Sequence, residues 1–299
     1  VDGGARVHPA DPVLSDGDMP SLYRVADIDA TNAQKRFLRF QLAEILLPLV
    51  GVAFGVVLAH FEKSWKWVGL VAGGIVAVAA LLRVLERTSG VEALWYRSRS
   101  CAETIKSLAW RYAVGVAPFP LDASDDAANA AFIDHLRHAA QNWPNASPAI
   151  GDEITPAMRV LRSQPLAARI DAYTRGRLVD QDHWYARKAI QANRSARRWD
   201  NSFYVLVGAS VLAGVVMLTT SAAVIFVVVA GASAGAVLTW SSVRRLSSNA
   251  HVYRAVATDL SFFRSLVPNA DKPDEWDHFV TAVEQRIAAE NQRWQAARL

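Results

Sequence analysis

The 299-residue sequence has one cysteine, Cys101, and its 38-residue stretch from Phe203 to Trp240 contains no Asp, Glu, Lys or Arg. A lone cysteine excludes an intrachain disulfide and a cysteine-based zinc site, and it fits a reducing compartment. Also missing are a Gly-rich phosphate loop after a strand, a GxSxG elbow, an HExxH helix and a nucleophile beside a base. No enzymatic activity, cofactor or metal is therefore expected. The sequence opens on VDGGARVHPADPVLSDGDMP, which lacks the basic, apolar and small-residue regions of a signal peptide. Its polar, Pro- and Gly-containing composition predicts a flexible segment over 1–29.

Where charge is absent, apolar residues take its place. A bilayer core about 30 Å thick needs roughly 20 apolar residues per helical crossing, so 203–240 holds two crossings, about 203–218 and 222–240, with a turn near Leu218 to Ser221. Arg194, Arg197 and Arg198 precede the run, and Arg244 and Arg245 follow it. Both ends are therefore expected in the cytoplasm. A second apolar block lies earlier. Ala30 to Phe40 reads as an interfacial helix leading into a crossing at about 42–58 that contains Glu44 and Pro48. After the polar break His60 to Lys66, another crossing occupies about 67–85, with Trp65 and Trp67 suited to the interface. Lys35, Arg36 and Arg39 before this hairpin, and Arg83, Arg87, Arg97 and Arg99 after it, outnumber Lys63 and Lys66 at its tip. Its ends are placed on the same side. The net charge of +4, with WYRSRS and SARRWD segments, has the flavour of nucleic-acid binding. Orientation and interfacial anchoring already require those residues, and no nucleic-acid partner is expected.

Helical spacing continues beyond both apolar blocks. Val91, Leu94, Cys101, Ile105, Leu108 and Tyr112 recur at steps of three and four, with only Ser98 polar in the register, predicting that the second crossing runs on into a coiled-coil-like arm. Pro118-Phe119-Pro120 ends it, and Ser124 with neighbouring acids opens another helix reaching Trp143. The Pro-rich stretch Asn142 to Pro156 divides the chain. Tyr185, Ala189, Ala192, Ala196, Trp199 and Phe203 then form a seam on a helix expected from Pro165 to about Leu218, with Gly176 as its weak point. Val243, Leu246, Ala250, Tyr253, Ala257 and Leu260 keep a matching seam after the fourth crossing, predicting that this helix packs on the one entering the membrane. Trp276, Phe279, Val280, Val283, Ile287 and Trp294 form the apolar face of a last helix. The expected fold is an all-α membrane protein with two transmembrane hairpins, four crossings in all, and long cytoplasmic helices. Its domains are placed at 30–143 and 165–299, joined by a linker over 144–164.

Two segments carry a family resemblance. WYRSRSCAETIKSLAWRYAVGVAPF, through Trp95, Tyr96, Arg99, Ala102, Glu103, Lys106, Trp110, Arg111 and Tyr112, resembles the post-hairpin signature of the type 3 SLATT domain. RGRLVDQDHWYARKAIQANRSA, through Arg177, Asp180, Gln181, Trp184, Tyr185, Lys188, Ala189 and Asn193, resembles the pre-hairpin signature of the type 1 SLATT domain. SLATT domains are SMODS- and SLOG-associated two-transmembrane effector domains, also labelled DUF4231. The resemblance implies an effector of bacterial conflict systems, proposed to perforate the inner membrane when a partner senses infection or a nucleotide signal. An oligomeric, pore-forming or channel-like effector is thus expected. The alternative is a non-conducting membrane scaffold whose stalk recruits a partner.

The residues offer site candidates, each beside a plainer reading. Gly51 and Gly55, Gly69 and Gly73, and Gly231 and Gly235 form GxxxG pairs that allow close helix approach, either within the chain or between copies. Scattered Ser and Thr in the crossings line a polar path or bond the turn behind them. Glu44 is the one carboxylate inside an apolar crossing, and intramembrane acids suggest conduction or proton sites; it also lies near the helix start, where Arg83 offers a partner. His135 and His138 share a helix face, and Asp180, Asp182 and His183 cluster, but metal sites need three or four converging ligands. A buried pair of Asp180 with Arg177 or Lys188 is a further reading. Arg99, Glu103, Lys106 and Arg111 form either a polar layer that fixes helix register or a pocket for an anionic signal.

Overall fold

The computed structural model describes residues 13–61, 66–141, 143, 151–220 and 223–296. Side chains at 57–69, 72, 273 and 291–296 are also outside the description, so Gly69, Trp65, Trp67 and Trp294 are not placed. The described chain is helical, with no strand. Its helices are α1 (Ser21–Phe61), α2 (Lys66–Ser89), α3 (Val91–Val114), α4 (Asp125–Ala140), α5 (Pro156–Arg162), α6 (Leu166–Tyr173), α7 (Asp180–Val216), α8 (Ala223–Arg244), α9 (Leu246–Ser265) and α10 (Pro273–Ala296). They form two compact units. One comprises Val1–Asn32, Ala93–Arg187 and Val252–Leu299, and the other Ala33–Glu92 and Lys188–His251. Each unit therefore takes segments from both halves of the sequence.

The first unit is built on a conventional apolar core. Trp110, Tyr112, Phe119, Phe132, Met158, Leu161, Tyr173, Leu178 and Leu260 are fully buried. Tyr173 stands edge-on to Trp110 at 5.8 Å and to Trp276 at 5.5 Å, tying α3, α6 and α10 together. The expected packing of the outgoing helix on the incoming one is present: Tyr253 of α9 meets Trp184 and Tyr185 of α7 at 5.9 and 6.0 Å. Arg264 Nη1 also donates to Asp182 Oδ2 at 2.7 Å.

Residues 13–29, expected as flexible chain, are ordered. Leu14, Met19, Tyr23, Ala26 and Ala30 are buried, and α1 begins at Ser21 rather than near Ala30. Its N-terminus has free backbone donors, which need acceptors. The Ser21 amide donates to the Asp152 carbonyl at 3.2 Å and the Leu22 amide to Glu153 Oε2 at 3.2 Å. Those acceptors lie 131 residues away in a stretch expected as linker, which is why sequence spacing around Ser21 does not reveal the helix start. Within that stretch Thr155 caps α5 by accepting from the Met158 amide, and Met158 and Leu161 enter the core.

The arms are also not continuous with the crossings before them. Gly90 interrupts the path from α2 to α3 with φ 62, and Arg245 interrupts that from α8 to α9 with φ 46. Glycine takes this left-handed conformation without steric cost. At the second break Asn249 Nδ2 donates to the Arg244 carbonyl at 3.2 Å, satisfying an acceptor near the helix end. The C-terminus of α3 is closed by Gly115, φ 68, with the Val116 amide on the Arg111 carbonyl at 3.1 Å and the Gly115 amide on Tyr112 at 3.2 Å. This is a Schellman arrangement. Buried Arg162 adds a donor to the Tyr112 carbonyl at 2.8 Å, and buried Arg169 donates to that of Val114.

The second unit contains the membrane-type helices. Among the described residues, three stretches are long and apolar enough to cross a membrane: Ser21–Val56, Leu166–Val216 and Ala223–Ser265. The expected crossing at 67–85 overlaps side chains outside the description.

Candidate functional site

Within the membrane unit, α1 and α2 pack as an antiparallel pair. A Cβ added to Gly51 would stand 3.0 Å from Ile75 Cγ2, so this glycine serves contact inside the hairpin. Arg83 Nη1 donates to Glu44 Oε2 at 2.8 Å, and the Glu44 side chain is 8% exposed. The cation offsets the cost of placing that carboxylate in an apolar helix. In the other hairpin Ser210 Oγ donates to the Val227 carbonyl at 3.1 Å, and a Cβ on Gly231 would lie 3.6 Å from the same hydroxyl. Thr239 bonds back to the Gly235 carbonyl at 2.9 Å and Thr219 to that of Val216 at 2.8 Å. Gly73 and Gly235 face open space, with no atom within 4 Å of an added Cβ. Gly55 lies in α1 and is half-buried.

The first unit holds a buried polar centre. Between α6 and α7 the backbone makes a π turn, Thr174–Val179, and π turns often accompany functional or strained positions. Gly176 sits against Trp110, where a Cβ would come within 2.8 Å of the indole. Arg177 follows and points inward. Its Nε donates to Glu284 Oε1 at 3.0 Å and its Nη2 to Oε2 at 2.9 Å, while the Tyr173 hydroxyl donates to Oε1 at 2.9 Å. Both charged side chains are 1% exposed. Burial alone would raise the Glu284 carboxyl, but Arg177, Tyr173 and Ser107 hold it below the usual glutamate range. Burial would likewise weaken the Arg177 charge, and Glu284 raises its affinity for the proton instead. Glu290 differs. Burial, reinforced by Glu103, pushes its carboxyl upward although the Tyr185 hydroxyl donates to it at 3.2 Å.

Most motif residues are packing and pairing residues around this centre. Trp95 and Tyr96 are buried and stacked at 4.8 Å. Arg99 pairs with Glu103 and, at 3.4 Å, with Asp27; Lys106 pairs with Asp16 at 2.7 Å. Arg111 Nη1 donates to the Ala117 carbonyl at 3.4 Å. Each of these cations is thus engaged separately. Asp180 is exposed and accepts from Gln181 at 3.3 Å, so the acid facing Arg177 is Glu284. Lys188 is exposed, in the membrane unit. His138 lies against the Asp134 carbonyl at 3.0 Å, and His135 stands edge-on to Phe119 at 5.5 Å. Among the described residues no three His, Cys, Asp or Glu side chains gather as a metal site.

Glu284, Glu290 and Tyr173 do not figure among the sequence candidates. A signal was present: Glu284 and Glu290 fall within the register of Val280, Val283 and Ile287, where a solvated acid has no place. Their partners lie more than 100 residues away, on α6, in the π turn and on α7, and the register does not say which residues they are.

Residues 20–170 match SMODS and SLOG-associating 2TM effector domain 3, and residues 173–294 match SMODS and SLOG-associating 2TM effector domain 1. No curated protein and no solved structure matches the chain. With both matches in tandem over nearly its whole length, and with apolar helices of membrane-spanning length, the chain belongs to the SLATT families of membrane effector domains, type 3 followed by type 1.

Proposed function

We propose that the protein is an oligomeric pore-forming or channel-like effector of the bacterial inner membrane, acting in nucleotide-signalled or anti-phage defence. It crosses four times, with both termini in the cytoplasm, and has no enzymatic activity. The observation that carries this reading is the pair of 2TM effector domains in one chain, whose most apolar 18-residue segments are left largely uncovered by the protein itself: 0% buried for the one within Leu166–Val216 and 11% for the one within Ala223–Ser265. Lipid covers such surfaces, and so do further copies of the chain. Gly73 and Gly235, open in the monomer, offer close approach between copies. A nucleotide-signal sensor or synthetase system acts on the helical unit, and the response shifts the hairpins between packed and conducting arrangements.

A second reading, a non-conducting membrane scaffold, draws support from the engaged polar groups. Glu44 is paired, and Ser210, Thr219 and Thr239 bond backbone carbonyls within the hairpin. Ion or dye flux through liposomes carrying the purified protein separates the two readings. Flux that falls in Gly235→Leu and changes in Glu44→Gln supports the effector. Absence of flux under every oligomerising condition, with normal growth on overexpression, leaves the scaffold.

A further inference from the structure

The contacts inside each hairpin set the depth of its cations. In the first, the Gly51 to Ile75 and Glu44 to Arg83 contacts lie about two helical turns apart on both helices, so the antiparallel register is constant between them. About one further turn on each helix brings Arg39 on α1 level with Arg87 on α2, both exposed. In the second, equal steps from the Ser210 to Val227 contact, roughly 20 Å along each helix, bring Arg197 on α7 level with Trp240 on α8. Arg194 comes level with Val243, next to Arg244. The Arg244 guanidinium lies 5.7 Å from the centre of the Trp240 ring. Arg194, Arg197, Arg198 and Arg244 are all exposed, and Asp200 is the single acid between Lys188 and His251.

Immediately beyond this belt the surface is apolar and uncovered. Tyr204 is 69% exposed, Val205 71% and Leu238 54%. A guanidinium row bordering open apolar surface matches an amphiphile with an anionic head and an apolar tail. Arginine presents a planar fork of donors that suits phosphate oxygens. A soluble phosphate would leave the neighbouring apolar surface unused, and a zwitterionic headgroup would leave the excess positive charge uncompensated.

We propose that the belt formed by Arg194, Arg197, Arg198 and Arg244, with Arg39 and Arg87 on the other hairpin, binds the phosphates of anionic phospholipids. This rests on the membrane placement within the proposed function and is independent of conduction. Interactions of juxtamembrane cations with anionic lipid are screened by salt, so the selectivity weakens as ionic strength rises.

The test uses the delipidated full chain in neutral detergent. Its melting temperature is followed with added phosphatidylglycerol, phosphatidylcholine or inorganic phosphate, and native mass spectrometry counts retained lipid. Phosphatidylglycerol should give the larger upward shift and the higher retention, with inorganic phosphate giving none. The Arg197→Gln/Arg198→Gln/Arg244→Gln variant should lose most of that difference while keeping the phosphatidylcholine response and its far-ultraviolet helix signal. Arg137→Gln, at an exposed position on α4, should keep it. Equal responses to both lipids, a triple variant that retains the preference, or an inorganic phosphate shift matching that of phosphatidylglycerol would overturn the inference. If the triple variant does not fold, equal retention of both lipids by the unsubstituted protein overturns it, and preferential retention lost at high salt supports it. Liposome flux is read separately: flux without lipid selectivity refutes the belt alone, and selectivity without flux refutes the conducting reading alone.

Discussion

Arg177 and Glu284 are each 1% exposed, and each offsets the cost of burying the other's charge. Breaking such a pair leaves an uncompensated buried charge, at a cost of about 3–5 kcal/mol, whereas replacing both partners by apolar groups is often neutral. Arg177→Met should therefore lower the melting temperature sharply, and Arg177→Met/Glu284→Leu should recover most of the loss in the same thermal scan. The carboxyls also titrate in opposite senses. Glu284 is lowered, so its contribution is complete above the usual glutamate value of 4.5 and is lost as pH falls through its depressed value. Glu290 is raised, so its contribution is complete below the usual value and is lost as pH rises through its elevated one. Glu290→Gln keeps an acceptor for Tyr185, and the melting temperature should vary less with pH between the usual glutamate value and the raised one. Of this centre, sequence similarity marks Arg177 and Tyr185 but not their acidic partners, because a helical register records that a position is buried and not what faces it.

Helix boundaries divide into those with local causes and those with distant ones. Ser124 before Asp125 and Asp126 makes the start of α4 legible. The π turn at Gly176, by contrast, lies against Val13 and Trp110, both distant along the chain. Gly176→Ala would press a methyl group to 2.5 Å from Val13 Cγ1 and 2.8 Å from the Trp110 indole, and overpacking of this kind costs about 1–3 kcal/mol; chemical denaturation should report a loss of that order. The breaks at Gly90 and Arg245 have a local cause of another kind. A left-handed residue other than glycine costs about 1–2 kcal/mol. Gly90→Ala should accordingly destabilise, although no atom lies within 4 Å of the added Cβ. Arg245→Gly should be neutral or stabilising, and parallel melts of the two variants check the pair.

At the scale of the whole molecule, four crossings make a definite prediction for side-specific labelling. Cys101 is buried, and burial pushes its thiol up to about 11, so it gives little background with membrane-impermeant maleimide. Cysteines placed at Thr219 and Lys63 should label from one side of sealed vesicles, and cysteines at Arg137 and Asp271 from the other. Labelling of Lys63 from the side of Arg137 would reduce the crossings to three or fewer. By itself the sequence determined the all-helical class, the membrane-type stretches and the tandem family, because apolar run length, periodicity and motif spacing act along the chain. Only the tertiary structure decided that α1 starts on acceptors from Asp152 and Glu153, that Arg177 meets Glu284, and that the compact units draw on both halves. These are pairings between distant segments, and a buried polar group shows that it needs a partner without showing where along the chain that partner lies.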